Sequence, residues 1–392
     1  MSSKHFSNII IGAGINGCGV FRDLALHQEE VLLIEKGDFC QQTSAHSSKL
    51  LHGGIRYLEQ MDFQLIAQAL QEKNIWLKLT PHLCYESPFL YPLIKDASPN
   101  YFTMKLGLCF YDLLSFYQNT SHQMLNQKQT LQKVPQLNDK LITGAGLYYD
   151  GIMQDRNIAL ACLQDALRFE KAQAWNHSEI LEVQRKNDLF LLQIKRDEQI
   201  LNLSCDQLIF TTGPFTDQLL PKIGIDWQPQ LILSKGSHLW FDHQDLPIST
   251  PLVMRDEKKR VLFVIPHQQK ILVGTTEQPV SKDLFNPKIS AEETEYLISQ
   301  LNRYFPKLNL NVNHIHSSYS GIRPLVQDES QELGQVSRHH RVYQPHPHCW
   351  VLLGGKYTTF RLMAQDIVRS IRSEKSLHYN PTLTLNPLLC NT

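Results

Sequence analysis

The sequence predicts an α/β protein: a Rossmann-like dinucleotide-binding domain joined to an α+β second domain built on an antiparallel sheet. Three observations carry this prediction. A G-x-G-x-x-G, Gly12-Ala13-Gly14-Ile15-Asn16-Gly17, follows directly on the apolar run Ile9-Ile10-Ile11. A second apolar run, Val31-Leu32-Leu33-Ile34, ends in an acid, Glu35, about twenty residues past the glycines. Residues 216 to about 320 read mainly as strands, with one helix among them.

The glycine motif needs a strand to deliver the chain to a tight turn and a helix to start at once after it. Gly12 permits the turn, Gly14 lets backbone approach a pyrophosphate, and Gly17 lets the helix pack on the strand. Residues Ile15 to His27 contain no proline and read as that helix. Its N-terminus offers unpaired N–H groups and the positive end of the dipole to phosphates. Val31 to Ile34 has the continuous apolar character of a buried parallel strand. Glu35 stands where an acid receives the ribose hydroxyls, and it disfavours a 2′-phosphate.

Further on, Asp62 to Leu79 reads as an amphipathic helix with Phe63, Ile66, Leu70 and Leu77 near one face, stopped by Pro81. Residues 85–145 depart from the dinucleotide fold. They include the aromatic-rich stretch Tyr101 to Tyr117, which has two readings: a membrane-facing element, or a core helix of a cap domain. Lys105 and Asp112 interrupt it and favour the core. Asp155 to Lys171 reads as a long helix. Ile180 to Leu203 alternates like a hairpin, with Lys195-Arg196-Asp197-Glu198 as its solvated tip, and Leu208 to Phe210 re-enters the central sheet. Leu231 to Leu233, His238 to Phe241, Val261 to Ile265 and Ile271 to Val273 read as strands, and Ala291 to Tyr304 as a helix. Trp350 to Leu353 and Thr358 to Ile371 form the last strand and helix. The expected division is a discontinuous nucleotide-binding domain, 1–84, 146–215 and 320–392, and a substrate domain, 85–145 and 216–319.

A chain of 392 residues, 42% of them hydrophobic, can build two substantial cores. Lys plus Arg and Asp plus Glu both number 38, so the net charge is zero, which argues against nucleic acid as a partner. Eight cysteines without C-x-x-C spacing indicate neither a metal site nor a disulfide framework. Free thiols in a reducing cytosol are expected. The N-terminus enters the first strand within a few residues, so no signal peptide is expected, and no apolar run approaches transmembrane length. The expected location is cytoplasmic, with peripheral contact on the cytoplasmic membrane face under the first reading of Tyr101 to Tyr117.

After Glu35 the chain gives a small polar stretch, Thr43-Ser44-Ala45-His46-Ser47-Ser48-Lys49, then His52-Gly53-Gly54 and Arg56-Tyr57-Leu58-Glu59. Small hydroxyl residues and glycines let a flat ring system lie against backbone. This run, from Gly37-Asp38-Phe39 onward, resembles the FAD-dependent glycerol-3-phosphate dehydrogenases of the D-amino-acid-oxidase-like flavoprotein superfamily. The resemblance continues in family order through Thr212-Gly213-Pro214-Phe215, Lys235-Gly236-Ser237-His238 and Gly274-Thr275-Thr276-Glu277. Ser320-Gly321-Ile322-Arg323-Pro324-Leu325, Ser337-Arg338 and Gly354-Gly355-Lys356-Tyr357-Thr358-Thr359-Phe360-Arg361 complete it. Two positions depart from the family pattern: His339 stands for an acidic residue, and Asn157 for an arginine. The resembled family usually carries a further helical domain after the point reached at Thr392, and the expectation is a member that lacks it, which bears on membrane docking, oligomerisation and the electron acceptor.

The resemblance implies FAD as cofactor. It implies oxidation of sn-glycerol 3-phosphate to dihydroxyacetone phosphate by hydride transfer to flavin N5, with electrons passed to a quinone or another acceptor. A carboxylated 2-hydroxy acid such as 2-hydroxyglutarate is the rival substrate, since arginine binds carboxylate as well as phosphate. A non-catalytic flavoprotein is a third reading. The residues expected at the cofactor are Gly12, Gly14, Gly17, Glu35, Thr43, Ser44, Ser48, Lys49, His52, Gly53, Gly54, Gly213, Gly354, Gly355, Lys356 and Thr358. Gly354-Gly355-Lys356 before a helix would present backbone N–H groups and a dipole to the pyrimidine edge of the flavin. Lys356 adds a charge at either the flavin or the substrate. Arg56, Arg323 and Arg338 are the expected substrate-phosphate ligands, because the guanidinium fork binds two oxygens at once, and Tyr57 adds a hydroxyl donor. Arg323 and Lys356 are grouped with His238 as catalytic. His238 has the ordinary pKa of a base near neutrality, while His52 lies nearer the cofactor segment; residue type alone does not choose between them.

Overall fold

The computed structural model describes residues 4–58, 61–327 and 339–388. The glycine motif sits where its spacing requires, between strand β1 (Lys4–Ile11) and helix α1 (Ile15–Leu26), with β2 (Val31–Ile34) next. β1 lies between β2 and the strand Gln199–Phe210, parallel to both. Outside these lie Ala172–Trp175 on one side and Cys349–Gly354 on the other, again parallel, with His340–His346 closing the edge as a hairpin. Both faces of this sheet are covered. Ile10, Val31 and Leu33 pack with Val20, Phe21 and Leu24 of α1 and with Ile367 and Ile371 of the last helix, Phe360–Glu374. Ile9, Ile11, Leu32 and Ile34 point the other way, against Phe190, Leu192 and Ile194. This two-sided burial is why the strands read as unbroken apolar runs.

The second sheet is mostly antiparallel. Its long members are Leu231–Asp242, paired with Ile315–Val326 and Lys270–Gly274, and Cys84–Ile94, paired with Ile142–Met153. The helix Ala291–Tyr304 packs on it through Leu297, Leu301 and Tyr304, its start fixed by a capping box between Ser290 and Glu293. Helix α2 (Phe63–Leu79) begins where Asp62 Oδ1 accepts from the Leu65 amide.

Several elements differ from the sequence reading. The hairpin at Ile180–Leu203 is a three-stranded meander, Ser178–Lys186, Leu189–Arg196 and Gln199–Phe210, whose last strand runs unbroken into the central sheet. The helix from Asp155 stops at Ala166. The second sheet takes in Leu50–Leu51, all of Ile142–Met153 and Ile315–Val326. It therefore crosses the boundaries expected at 145/146 and 319/320: alternation marks a strand but not its partner.

Helix α3 (Tyr101–Leu114) is a further correction. Met104, Leu108 and Tyr111 pack inward, and the interrupting Asp112 is buried against His122 Nδ1 at 2.7 Å. The opposite face is largely apolar too: Phe102 is 80% exposed, Leu106, Phe110 and Leu113 are also exposed, and so are Phe116 and Tyr117 in the turn just past the helix. Met61 and Phe63, the latter expected on the buried face of α2, are likewise exposed. The helix is thus core on one side and uncovered hydrocarbon on the other. Among the described residues no helix is long and apolar enough to cross a membrane, the seven cysteines are free, and no cluster has metal-binding geometry.

Candidate active site

A single continuous cavity of about 1960 Å³ runs from the glycine turn to the second sheet. That is about twice the ~1000 Å³ upper end of ordinary ligand pockets, so it accommodates a dinucleotide and a small substrate together. It opens at the carboxyl ends of β1, β2 and their parallel neighbours, the position that open α/β sheets use for ligands.

The adenosine end is built by local contacts. Gly12 adopts a left-handed φ of 101°. A Cβ on Gly17 would stand 1.9 Å from the Gly12 carbonyl oxygen, so only glycine lets α1 approach the turn. Glu35 Oε2 accepts from the Ala13 amide at 2.8 Å and Oε1 from the Gly37 amide at 2.9 Å. Each carboxylate oxygen keeps a further lone pair for a hydroxyl donor. Ser44 Oγ accepts from the Ile15 amide at 2.8 Å, tying the turn Thr43–Ala45 to the first residue of α1. Thr43 donates to the Ile322 carbonyl at 2.8 Å and so links this turn to the second sheet.

At the far end, Gly354 and Gly355 are both left-handed, with φ of 72° and 80°, ahead of the last helix. Lys356 Nζ donates to the carbonyls of Gly53 at 3.1 Å and His52 at 3.3 Å, and lies 4.8 Å above the Tyr57 ring. Thr358 Oγ1 accepts from the His52 amide at 3.3 Å. The third glycine motif is thereby stitched to the second. The glycine cradle, the oriented acid and the glycine pair before the last helix all line the cavity, and this donor set fits FAD.

Arg323 projects from Ile315–Val326 over Gly236, donating to Thr275 Oγ1 at 2.6 Å and to the Thr276 carbonyl at 3.4 Å. Glu293 braces this corner. Burial alone would raise its pKa, but bonds from Lys235, Thr276, the Ser290 amide and Ser237 hold it below the ordinary carboxylate value. The sequence reading missed Glu293; the capping pattern Ser290-x-x-Glu293 was its available signal.

Of the expected residues, Gly12, Gly14, Glu35, Thr43, Ser44, Ser48, His52, Tyr57, Gly213, His238, Arg323, Gly354, Gly355, Lys356 and Thr358 all line the cavity. Gly17, Gly53 and Gly54 support it from behind. Arg338 and the side chain of Arg56 lie outside the described residues.

Two expectations are corrected. Lys49 does not line the cavity: its Nζ binds the buried Asp155 carboxylate at 2.7 and 2.9 Å and the Ala45 carbonyl at 2.8 Å, because a carboxylate out of water needs a cation. His238 lacks the basicity of an ordinary histidine. It is buried, and burial, then the charges of Arg323, Lys49 and His46, push its pKa well below the usual value. Its ring stacks on Tyr319 at 4.9 Å with Nε2 2.9 Å from Ser48 Oγ. At the departures from the family pattern, His339 Nε2 lies 3.2 Å from Asp62 Oδ2, and Asn157 donates to Gln154. A basic hairpin also escaped the sequence reading: Arg255, Lys258, Lys259 and Arg260 join the rim of the cavity, alongside Met61, Phe63, Leu106 and Phe110.

A dinucleotide cradle on a parallel sheet, facing a cationic pocket on an antiparallel one, defines a flavoprotein oxidoreductase. Residues 8–366 match the FAD dependent oxidoreductase family, DAO, and the chain belongs to it. It is similar to the aerobic glycerol-3-phosphate dehydrogenase of Bacillus subtilis (strain 168), at 31% identity over 98% of this chain and 71% of the relative. The FAD complex of glycerol-3-phosphate dehydrogenase from Bacillus halodurans superposes with a TM-score of 0.79 at 24% identity, covering 98% of this chain and 68% of that one. The reduced, FAD-bound L-alpha-glycerophosphate oxidase of Mycoplasma pneumoniae gives 0.76 at 18% identity over 99% of both chains. The protein is an FAD-dependent oxidoreductase of the glycerol-3-phosphate dehydrogenase kind.

Proposed function

We propose that the protein oxidises sn-glycerol 3-phosphate to dihydroxyacetone phosphate and hands the electrons to a quinone or another acceptor. The observation that supports this most is the placing of Arg323 and Lys356, on separate segments, in the same cavity as the dinucleotide cradle. FAD, when bound, supplies the two-electron acceptor. Arg323 binds the substrate's anionic end, its guanidinium preset by Thr275 and Thr276. Lys356 fixes the His52–Gly53–Gly54 turn and adds positive charge where negative charge collects. His52 is the better-placed proton acceptor, since His238 is held neutral by its surroundings. Phosphate is the favoured anion because close relatives along nearly the whole chain are glycerol-3-phosphate dehydrogenases.

On the same reading, the uncovered face of α3, beside the basic rim at Lys258–Arg260, is a peripheral membrane contact that brings a lipid-soluble acceptor to the cavity mouth. Anaerobic bleaching of the flavin spectrum by a small panel tests the reading. Glycerol 3-phosphate should bleach it and glycerol should not. Preferential bleaching by 2-hydroxyglutarate moves the enzyme to carboxylate substrates, and no bleaching by any alcohol makes it a non-catalytic flavoprotein.

A further inference from the structure

Behind the His52–Gly53–Gly54 turn lies a buried acid that the chemistry above leaves unused. Asp150, on Ile142–Met153, is 2% exposed. Its Oδ1 accepts from the Gly53 amide at 3.3 Å and its Oδ2 from the Tyr111 hydroxyl of α3 at 2.7 Å. The carbonyl of the same residue, Gly53, accepts from Lys356 Nζ. One glycine is thus held from both sides, N–H by a carboxylate and C=O by an ammonium. A small cavity of about 20 Å³, lined by His52, Gly54, Tyr148, Asp150 and Phe263, separates the acid from the imidazole that borders the main cavity. The turn is closely packed from behind: a Cβ on Gly53 would lie 2.6 Å from the Tyr111 hydroxyl and from Leu70.

We propose that Asp150 is a positioning residue for the reacting end of the site, acting as the anionic half of an Asp150–Gly53–Lys356 clamp that fixes the turn bearing His52. The clamp works only while Asp150 is ionised. Burial pushes its carboxyl up to about 6; Lys73 of α2, the Tyr111 hydroxyl, the Gly53 amide and Lys356 oppose that push. Lys73 is itself fully buried, shared between Asn119 at 2.9 Å and Glu86 at 3.2 Å, so its charge is fixed beneath the turn. Tyr148, from the acid's own strand, and His52, across the small cavity, are the other titratable neighbours; burial and Asp150 push the Tyr148 pKa well above the ordinary value, so it stays neutral. Protonating Asp150 removes the anion and leaves Lys356 to hold the glycine alone.

The catalytic arm of the test rests on the substrate reading above; the spectroscopic arm does not. Infrared titration of the protein, with and without FAD, should show a carboxylic-acid C=O band that disappears as pH rises through about 6. Asp150→Asn should lack that band. Tyr111→Phe removes a bond that favours the ionised form, so the band should persist to higher pH. Anaerobic flavin reduction by glycerol 3-phosphate should carry an acid limb at the same midpoint. The limb should move upward in Tyr111→Phe and vanish in Asp150→Asn, with reduction slowed roughly tenfold or more at neutral pH. A wild-type rate and pH profile in folded Asp150→Asn overturns the proposal, as does an unmoved band in Tyr111→Phe. Should Asp150→Asn fail to fold, Tyr111→Phe decides. Should glycerol 3-phosphate fail to reduce the wild type, the substrate reading falls and the infrared titration still decides the role of Asp150.

Discussion

Replacing Glu35 by alanine tests how the adenosine end of the site is held. Its carboxylate receives two backbone amides, Ala13 at 2.8 Å and Gly37 at 2.9 Å, from the two sides of the β1–α1 and β2 ends. Two effects follow from its loss. The ribose loses a charged acceptor, worth about 1.5–3 kcal/mol. At about 1.4 kcal/mol per tenfold, that weakens FAD binding roughly 10- to 100-fold. Separately, the Ala13 amide belongs to a fully buried residue. Deprived of its partner, it costs a further ~1–3 kcal/mol of stability before any cofactor arrives. Glu35→Gln separates the two effects. The amide oxygen keeps one backbone donor, but its NH2 group meets the other donor head-on, so shape is preserved while charge is lost. Apo-protein titrated with FAD, followed by quenching of flavin fluorescence, gives the affinity, and thermal unfolding of the apo-protein gives the stability. Both variants should bind at least about tenfold more weakly, with Glu35→Ala also melting lower. An affinity within about twofold of wild type in Glu35→Ala would refute the assignment of this carboxylate to the cofactor.

Gly17→Ala should abolish FAD retention on gel filtration, because the 1.9 Å contact is with a backbone oxygen that cannot move aside; a yellow, stable variant would contradict the packing described. Arg323→Ala should lower kcat/KM for flavin reduction by an amount corresponding to about 2–5 kcal/mol, and Arg323→Lys should not restore it, since lysine lacks the fork. Full activity in Arg323→Ala takes Arg323 out of the site, and full activity in Arg323→Lys shows that the fork is not needed. His238 bears on stability against pH. Its folded pKa lies well below 6.5, so between that lowered value and 6.5 the unfolded chain binds the extra proton and stability falls as pH falls. His238→Asn should flatten this acid slope in thermal melts from pH 8 to 5, and an unchanged slope counts against the burial argument. Phe102→Ser with Phe110→Ser should abolish flotation with liposomes while leaving FAD bound. If the wild type never floats, the membrane contact is wrong. If the double variant loses FAD, the exposed face of α3 supports the fold after all.

The dinucleotide unit was legible because every signal in it is local. Turn, helix start, second strand and terminal acid fall within the first 35 residues, and each is specified by its immediate neighbours. What was not legible depends on pairing across long stretches of chain. Ile142–Met153 reads as an apolar strand whichever sheet receives it, and Cys84–Ile94 decides the matter. The same holds for α3, whose two faces are both apolar, so periodicity cannot say which one the core takes. The charged interruptions that favoured a core helix divide between the faces: Asp112 turned inward to His122, while Lys105 stayed in solvent.

Within the site, motif and chemistry part company at charged and titratable residues. Glycines carry their role with them, because a missing Cβ means the same thing wherever it is found. A histidine or lysine does not. Lys49 stands in the cofactor motif, yet its charge is spent on Asp155, 106 residues away. His238 has the right residue type for a base, yet burial, then the charges of Arg323 on one segment and of Lys49 and His46 on another, push its pKa well below the ordinary value. Asp150 had the opposite fate. Nothing in Tyr148-Tyr149-Asp150-Gly151 marks it as chemical beyond a charge inside an apolar strand, which is itself a signal that the charge has partners. Those partners, the Gly53 amide and Tyr111, lie 97 and 39 residues away. The protonation states that govern catalysis are therefore properties of the assembled pocket, and the sharpest measurements on this enzyme are those that change one pocket charge while leaving every glycine in place.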